Sequence, residues 1–229
     1  MIEKTAAAAQ RARPKRILIV DDHPLVRQGI RMLLSGQDDF EVCGEAASAH
    51  EALELMRHEP PDAAIVDLTL KESSGLDLIK DIQIRHPHVV VLVVSMRDEG
   101  FYAERVLRAG ARGYVTKEEG PDEILRGLRR VLAGQVHVSD RVASKVMQKI
   151  IAGAGEPAAN LLDSLTDREL QVFELIGNGL PTREIARELH ISTKTVDSHR
   201  EHIKEKLHLA SASELLRHAI QWVQCQKKV

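Results

Sequence analysis

Five polar side chains stand at or just past the ends of short apolar runs in the first half of the sequence: Asp21, Asp22, Asp67, Ser95 and Lys117. Carboxylates that are brought together repel one another, and they persist only beside a cation or when one is protonated. Oxygen ligands favour Mg²⁺, which often binds phosphate oxygens as well. A cation, an ammonium group and a hydroxyl around a carboxylate suit a phosphoryl group in transfer. Asp67 lies between the acidic pair and the Ser/Lys pair, and we predict that it is the nucleophile.

Each of these residues also has an ordinary structural interpretation. A single aspartate at a strand end often caps a helix, Ser95 could cap the helix that begins near Asp98, and a lone lysine is usually solvated. The agreement of all the positions with strand ends favours a shared site instead. An enzyme is the alternative from another class: a Mg²⁺-dependent phosphohydrolase with Asp67 as nucleophile. The sequence Asp67-Leu68-Thr69 lacks the second acid of the Asp-x-Asp pattern, which counts against it.

The apolar runs are continuous rather than alternating, which indicates strands buried on both faces, as in a parallel sheet. Stretches long enough for helices separate them, so the expected fold is an α/β, doubly wound (βα)5 domain. In the flavodoxin-like order 2-1-3-4-5, strands 1, 3, 4 and 5 are adjacent, and the polar residues at their ends converge on one crevice. The predicted strands cover 17–20, 40–44, 63–66, 89–94 and 113–115, and the predicted helices 24–34, 49–57, 75–85, 100–108 and 121–132.

After Leu161 the continuous apolar runs cease, and short helices separated by turn signals indicate a small all-α domain. Thr166 and Glu169 have the spacing of a capping box that opens one of these helices. Glycines and a proline between the two halves are typical of a linker. The predicted organisation is a loose tail over 1–15, an α/β domain over 16–133, a linker with one helix (139–151) over 134–160, and a helical domain over 161–226.

The overall composition excludes several classes of protein. The chain has 229 residues, of which 43% are hydrophobic and 29% charged, so it is neither disordered nor fibrous. Two cysteines, Cys43 and Cys225, are too few for a disulfide scaffold. The longest apolar run is far shorter than the roughly 20 residues of a membrane span, and we expect a cytoplasmic protein without membrane contact. The net charge of −2 does not indicate a nucleic-acid partner, so that inference must rest on local geometry.

Residues 181–204 have the pattern of two short helices that meet at a tight turn, which suits a helix-turn-helix with its second helix placed for a major groove. On that helix Val196, Ile203 and Leu207 form the expected core stripe, while the outward face is either merely solvated or meets DNA. Opposite the stripe lie Lys194, Ser198 and Glu201, with Asp197 and His202 on the borders, and those near the N-terminal half are the candidate base contacts. The candidate phosphate contacts are Thr193, Thr195, His199, Arg200, Lys204 and Lys206.

Two acidic residues, Asp197 and Glu201, are unexpected on a surface that meets DNA. They either pair with Lys194, Arg200 or Lys204 nearby, or one of them accepts a hydrogen bond from a cytosine amine. With so little net positive charge, one module is expected to bind DNA weakly, and a dimer on two half-sites would double the phosphate contacts.

Residues 16 to about 133 resemble the receiver domain of two-component response regulators. The resemblance is carried by Ile-Leu-Ile-Val-Asp21-Asp22-His-Pro, Ala-Ile-Val-Asp67-Leu-Thr-Leu, Val-Val-Ser95-Met and Gly-Tyr114-Val-Thr-Lys117. It implies that Asp67 accepts a phosphoryl group from a sensor histidine kinase. It also implies a Mg²⁺ site, and the residues that hold or support the ion are Asp21, Asp22, Asp67 and the backbone carbonyl of Thr69.

The same resemblance implies a switch. Ser95 would bond the phosphoryl group, Lys117 would pair with it, and Tyr114 would swing inward as the hydroxyl is recruited; the alternative for Tyr114 is an aromatic at the edge of the core. One position departs from the family, because Lys71 stands where a proline usually follows the acceptor. That departure affects the expected rigidity of the loop and the lifetime of the phosphoryl group, and leaves the chemistry unchanged.

The helical half resembles the LuxR-type helix-turn-helix, through Leu165-Thr-Asp-Arg-Glu169, Arg183-Glu-Ile-Ala186 and Lys194-Thr-Val-Asp-Ser-His199. Joined to a receiver, it is similar to the NarL/FixJ group of response regulators. The combination implies a transcription regulator in which phosphorylation switches dimerisation and promoter binding. Enzymatic activity is expected only in the receiver's own phosphorylation and dephosphorylation.

The expected partners are promoter DNA and a second copy of the chain, with RNA polymerase as a further candidate. The last helix is the expected dimer contact, or it merely closes its domain's core.

Overall fold

The structure, a computed structural model, describes residues 13–70, 73–152 and 161–227. Its first half contains a five-stranded parallel sheet and, beyond the end of its third strand, a two-stranded antiparallel ribbon. The strands of the chain are β1 (Lys15–Val20), β2 (Phe40–Ala46), β3 (Ala63–Val66), β4 (Thr69–Leu70), β5 (Ser73–Ser74), β6 (Val90–Ser95) and β7 (Gly113–Thr116). The sheet has the order β2-β1-β3-β6-β7, and β4 with β5 forms the ribbon. The predicted fold class and the predicted order of the five main strands are therefore confirmed.

Helices cover both faces of the sheet. They are α1 (Pro24–Ser35), α2 (Ala49–His58), α3 (Gly75–Arg85), α4 (Glu99–Ala109) and α5 (Pro121–Leu132). Because successive strand side chains point to opposite faces, Ile17 and Ile19 pack on the side of α1 and α5, while Leu18 and Val20 pack on the side of α2, α3 and α4. This burial on both sides is the physical reason for the continuous apolar runs.

The predicted boundaries differ from the observed ones by at most two residues. The third strand and the third and fifth helices have the predicted bounds, and β1 begins at Lys15, inside the predicted tail. The ribbon β4–β5 is the one addition within the described part of this domain. Two-residue strands carry no periodicity, so the sequence pattern does not reveal them.

The second half is a bundle of short helices that follows a 3₁₀ turn over Leu161–Ser164. They are α7 (Asp167–Gly177), α8 (Thr182–Glu188), α9 (Thr193–Lys206) and α10 (Ala212–Lys227). The predicted capping box is present, since the Thr166 side chain accepts from the Glu169 backbone and the Glu169 side chain accepts from the Thr166 backbone. Ser192 caps α9 by accepting from the backbone N–H of Thr195 at 3.0 Å.

Between the two halves lies one more helix, α6 (Asp140–Ala152), which packs on α4. The sequence predicted this helix over 139–151. The rest of the predicted linker, 153–160, lies outside the described residues, as do residues 1–12 of the predicted tail and Lys71. Within the described ranges, no helix has the length and apolar character needed to cross a membrane.

One apolar cluster runs through both halves of the molecule. It joins buried residues of α3 and α4 to the core of the helical bundle, so that Tyr102 and Phe173 belong to the same cluster. At the junction, Phe101 of α4 stacks on Trp222 of α10, with ring centroids 4.0 Å apart. The linker composition predicts two domains, but it gives no indication that they are packed together.

Candidate functional site

The carboxylate of Asp67 stands at the end of β3 and is almost fully buried. Each of its oxygens has a partner from a neighbouring strand end. The Ser95 hydroxyl donates to Oδ1 at 2.5 Å, and Lys117 Nζ donates to Oδ2 at 2.6 Å. Parallel strands β3, β6 and β7 are adjacent, so their carboxyl ends deliver these three side chains to one point. The carboxylate is thus held between a hydroxyl and a cation.

The Lys117 ammonium also donates to Asp21 Oδ2 at 2.6 Å, so it bridges two buried carboxylates. Burial raises the pKa of Asp21, and the charge of Asp67 adds to that effect against the opposing pull of Lys117. For Lys117, burial alone would lower the pKa, but attraction to Asp67 and Asp21 outweighs it, and the pKa is raised. One ammonium group shared by two carboxylates leaves the pocket with excess negative charge.

Asp22 completes the acidic group, and its side chain is only 8% exposed. Ligand oxygens of Asp21, Asp22 and Asp67 lie within 4.8 Å of one another, and His23 belongs to the same cluster. His23 Nδ1 is 2.7 Å from Asp22 Oδ1 but not in hydrogen-bonding geometry, and among the described residues this buried oxygen has no hydrogen bond. A buried carboxylate oxygen without a donor, in an oxygen-rich set with excess negative charge, fits a hard divalent cation such as Mg²⁺.

Thr69 contacts Asp67 directly, and Tyr114 is joined to the pocket through Arg97, a residue that the sequence did not single out. The Thr69 backbone N–H donates to Asp67 Oδ1 at 3.3 Å, and Arg97 Nε lies 3.4 Å from the Thr69 hydroxyl. Tyr114 is buried and points inward, with its hydroxyl donating to the Arg97 backbone carbonyl at 2.8 Å. Arg97 stands two residues after Ser95 in a loop, and no periodicity or motif quoted above includes it.

Arg97 also reaches the helical domain. Its Nη1 lies 3.5 Å from Glu174 Oε2 of α7, and its Nη2 lies 3.9 Å from Glu188 of α8. The hydroxyl of Tyr102, on α4, donates to the same Glu174 oxygen at 2.8 Å, in a fully buried position. These polar contacts and the stacked pair Phe101–Trp222 together form the interdomain contact.

A second set of polar contacts extends the interdomain contact toward the start of α7. Arg105 donates to the backbone carbonyls of Leu165 (2.9 Å) and Leu162 (2.6 Å) and to Asp167 (3.1 Å). Lys80 of α3 pairs with the same aspartate at 2.8 Å. The helical domain is therefore held to α3 and α4 by ion pairs and hydrogen bonds as well as by apolar contacts.

The turn of the helix-turn-helix lies at the mouth of the acidic pocket. His190 Nε2 is 3.5 Å from Asp22 Oδ2, and His190 has a positive φ of 52° in that turn. Ser192, the cap of α9, follows two residues later. The first turn of α9 is consequently close to a concentration of carboxylates in this arrangement.

The second helix of the motif, α9, has the predicted faces. Val196, Ile203 and Leu207 are buried as the core stripe, and the predicted base contacts on the opposite face, Lys194, Asp197, Ser198 and Glu201, are exposed. Of the predicted phosphate contacts, Thr193 and Thr195 are exposed, and His199, Arg200, Lys204 and Lys206 are half-buried. The residues suggested for DNA therefore lie on or beside one accessible face.

Several cations of α9 already have partners within the domain. Lys204 pairs with Glu201 at 2.8 Å, as one interpretation of that acidic residue predicted, and Lys206 pairs with Glu169 at 2.6 Å. Arg200 donates to the Thr182 hydroxyl at 3.1 Å. Burial lowers the pKa of His199, and the nearby Arg168 charge lowers it further. The helix thus offers DNA fewer uncommitted positive charges than its count of basic residues suggests.

The fold and these two regions define a class of protein: a phosphoacceptor-type α/β domain packed on a helix-turn-helix domain. Residues 17–129 match the family model for the response regulator receiver domain, and residues 163–219 match the model for bacterial regulatory proteins of the luxR family. The chain is 34% identical over 209 residues to the oxygen regulatory protein NreC of Staphylococcus carnosus, which covers 90% of this chain and 96% of the relative.

Solved structures are similar to part or to most of the chain. A LuxR-family two-component response regulator from Aurantimonas sp. SI85-9A1 is 34% identical, with a TM-score of 0.56 over 61% of this chain and 99% of that one. RcsB from Salmonella enterica serovar Typhimurium, bound to promoter rprA in the presence of the phosphomimetic BeF₃⁻, is 26% identical, with a TM-score of 0.59 over 90% of this chain and 98% of that one.

This chain belongs to the NarL family of response regulators, with a receiver domain followed by a LuxR-type DNA-binding domain. It is a phosphorylation-dependent regulator of transcription that binds DNA, and a histidine kinase is the partner that a receiver domain implies. It is not an enzyme by family, so the phosphohydrolase alternative is wrong. The missing second acid after Asp67 was the sequence signal against that alternative.

Proposed function

We propose that Asp67 is the phosphoryl acceptor. The observation that carries this proposal is the placement of the Ser95 hydroxyl on one carboxylate oxygen and the Lys117 ammonium on the other, at 2.5 and 2.6 Å. In the transfer, an Asp67 oxygen attacks the phosphorus of a phosphohistidine, the new O–P bond forms and the N–P bond breaks. Lys117 and Ser95 then stabilise negative charge that develops on the phosphoryl oxygens.

Asp21, Asp22 and Asp67, with the backbone carbonyl of Thr69, are the residues we propose for a Mg²⁺ site. The support is the cluster of carboxylate oxygens and the buried Asp22 oxygen without a hydrogen bond among the described residues. When bound, the ion supplies positive charge that offsets the carboxylates and the incoming phosphoryl oxygens. Asp22 orients toward that position, while Asp21 holds Lys117 in place from the other side.

Phosphorylation is proposed to release the helical domain from the receiver. The phosphoryl group adds bulk and about 1.5 to 2 negative charges to the pocket, where Asp22 lies 3.5 Å from His190 of the helix-turn-helix turn, and its volume competes with that turn for space. Recruitment of the Ser95 hydroxyl by the phosphoryl group moves the loop that carries Arg97, and Tyr114 is hydrogen-bonded to the backbone of that loop. Arg97 contacts Glu174 across the domains, so this route connects Asp67 to the interdomain contact.

The side chains of the first turn of α9 are already exposed, and release would move the receiver's carboxylates away from them so that the helix can enter a major groove. We propose that base edges are met by the outward residues Lys194, Asp197, Ser198 and Glu201. Phosphates are proposed to be met by the flanking residues Thr193, Thr195, His199, Arg200, Lys204 and Lys206. Exposure of these side chains in α9 supports the assignment, and the core stripe behind them fixes which face is presented.

A homodimer on DNA is proposed through α10. Leu215, Ala219 and Val223 are buried in the bundle, but Leu216 on the adjoining face is 42% exposed, and it lines an apolar groove with Ile220. We expect Leu216→Asp to lower DNA affinity about tenfold or more and to lower the free energy of unfolding by only about 1 kcal/mol, because the side chain is 42% exposed. Equal DNA affinity in the variant would refute α10 as the contact.

We further propose that the functional units are 16–133 and 161–226, joined by 134–160, and that the protein works in the cytoplasm. The matched ranges 17–129 and 163–219 support these units. Promoter binding by similar regulators supports that location and makes RNA polymerase a candidate partner.

The decisive experiment compares the wild-type chain with Asp67→Asn. The DNA probe is a fragment selected from random sequences by the chain treated with acetyl phosphate and Mg²⁺, and an unrelated fragment of equal length is the control. Wild type is expected to gain at least about tenfold in affinity for the selected fragment on treatment, the size of a typical allosteric coupling. Asp67→Asn is expected to gain nothing, and an undiminished gain in the variant would contradict the proposal.

A further inference from the structure

A second cluster of metal-ligating side chains lies outside the phosphoacceptor pocket, between α7 and α9. Glu169, His199 and His202 each offer a ligand atom, and these atoms all lie within 4.8 Å of one another. His199 and His202 are three residues apart on α9, so they share one side of that helix. Glu169 is the third residue of α7 and approaches them from the facing helix.

The carboxylate of Glu169 is fixed in position before any ligand arrives. It is 3% exposed, and its Oε2 accepts from the Thr166 backbone at 2.7 Å and from Lys206 at 2.6 Å. Its other oxygen, Oε1, is turned toward α9 and lies 3.9 Å from His202 Nδ1. Because the capping box and Lys206 both hold Oε2, Oε1 is the atom presented to the two imidazoles.

The arrangement suits a borderline divalent ion rather than Mg²⁺. Two imidazoles and one carboxylate are the ligand set of open zinc sites, with a fourth position for water. At Zn–N and Zn–O lengths of about 2.0 to 2.2 Å, tetrahedral ligand atoms stand roughly 3.3 to 3.6 Å apart. The ligand atoms lie up to 4.8 Å apart, so they must move closer together to bind an ion, and the 60% exposed side chain of His202 has room to do so.

We propose that Glu169, His199 and His202 form a Zn²⁺ site that joins the recognition helix α9 to the first turn of α7. The ion would connect the same two helices that Lys206 connects through Glu169. It would also place two positive charges beside the helix whose available cations are few. This site is independent of Asp67, so its failure and the failure of the phosphoacceptor proposal are distinguishable.

The test is Zn²⁺ titration of the full chain, in excess Mg²⁺, against a chromophoric chelator. His202→Gln and Glu169→Gln are the diagnostic variants, and His218→Gln, an exposed histidine of α10, is the matched control. Glutamine at position 169 preserves the capping box, so that variant removes the carboxylate without removing the helix cap. Urea unfolding of each variant checks that the fold is retained.

Wild type and His218→Gln are expected to bind Zn²⁺ with equal affinity at this site, and both diagnostic variants at least about tenfold more weakly. Co²⁺ in place of Zn²⁺ should give the strong visible absorption of a four-coordinate site in wild type and lose it in His202→Gln. Equal affinity in wild type and Glu169→Gln would show adventitious binding to the histidine pair only. Equal affinity in wild type and His202→Gln, or no high-affinity Zn²⁺ in wild type, would likewise overturn the proposal.

Discussion

The acidic pocket and the recognition helix use charge in opposite ways. In the pocket, Lys117 is 12% exposed and bridges Asp21 and Asp67, and the whole arrangement is built from one domain of one chain. On α9, Lys194 is exposed, and acidic Asp197 and Glu201 stand among the cations. Buried charges must be satisfied internally, whereas exposed charges are screened and contribute little to stability. The side chains of the pocket therefore all come from one domain, whereas we propose that the DNA surface needs a second copy of the chain and release from the receiver.

The largest expected effect comes from Lys117→Met, which removes the cation from two buried carboxylates. Leaving a buried charge without its partner costs about 3 kcal/mol or more, so the urea midpoint in Mg²⁺-free buffer should fall markedly. Phosphorylation by acetyl phosphate should slow about 100-fold or more, because an electrostatic donor to the reacting group is lost. Saturating Mg²⁺ should restore part of the stability and little of the rate. An unchanged phosphorylation rate in Lys117→Met would contradict the role given to the buried cation of the pocket.

The next effect concerns the interdomain contact, which connects the two regions. Tyr102→Phe removes a buried hydrogen bond to Glu174. A bond of this charge-assisted kind contributes about 1.5 to 3 kcal/mol, so the docked arrangement should weaken about tenfold or more. The untreated variant is expected to bind the selected DNA up to about tenfold more tightly than untreated wild type, and the two should be equal after acetyl phosphate treatment.

Trp222 gives this prediction a second measurement. It is the one tryptophan of the chain, and it stacks on Phe101 of the receiver. Its emission should move to longer wavelength in Tyr102→Phe, and in wild type on treatment, as undocking exposes the ring to water. If the emission is the same in the docked and treated states, the release mechanism is wrong.

Lys194→Met is the counterpart of Lys117→Met on the exposed helix. Its effect on the free energy of unfolding should stay within about 0.5 kcal/mol, since the side chain is exposed. Its DNA affinity should fall severalfold, with the discrimination between selected and unrelated fragments reduced if it meets a base edge. A uniform loss on all fragments with a shallower salt dependence would instead make Lys194 a phosphate contact.

The smallest expected effect is a pH dependence of the free energy of unfolding, which arises from Asp21 in the acidic pocket and not from the recognition helix α9. Because the pKa of Asp21 is raised in the folded protein above its ordinary 3.8, its stabilising contribution is complete below 3.8 and is lost as pH rises through the raised value. Asp21→Asn should therefore gain stability over wild type toward neutral pH in Mg²⁺-free buffer, by about 1 kcal/mol. Urea midpoints of Asp21→Asn and the wild type, measured from acid to neutral pH, give this difference in stability. If the advantage of Asp21→Asn became smaller as the pH rises, the prediction would be wrong.

The sequence was sufficient to predict the strands, the residues at the strand ends and the buried stripe of α9, because these depend on local pattern. Continuous apolar runs predicted the strands, and the strand ends located Asp67, Ser95 and Lys117 because parallel strands deliver their carboxyl ends to one edge. The core stripe of α9 followed from helical periodicity. Those predictions needed no knowledge of how distant segments meet.

The parts that sequence reasoning missed depend on how the domains pack. Arg97 and His190 carry no motif of their own, and their roles come from contacts with Thr69, Glu174 and Asp22 across the chain. Tyr102 and Trp222 look like ordinary core residues in their helices. A relative placement of two domains is set by surface complementarity, which a linear pattern does not encode.

Locating the phosphoryl group on the chain tests directly whether Asp67 is the acceptor. The full chain is treated with acetyl phosphate and Mg²⁺, the acyl phosphate is trapped by borohydride reduction, and the modified residue is identified by mass spectrometry of peptides. We expect modification at Asp67 alone, dependent on Mg²⁺ and absent from Asp67→Asn. Modification at Asp21 or Asp22 in the wild type, or undiminished modification of Asp67→Asn, would contradict it.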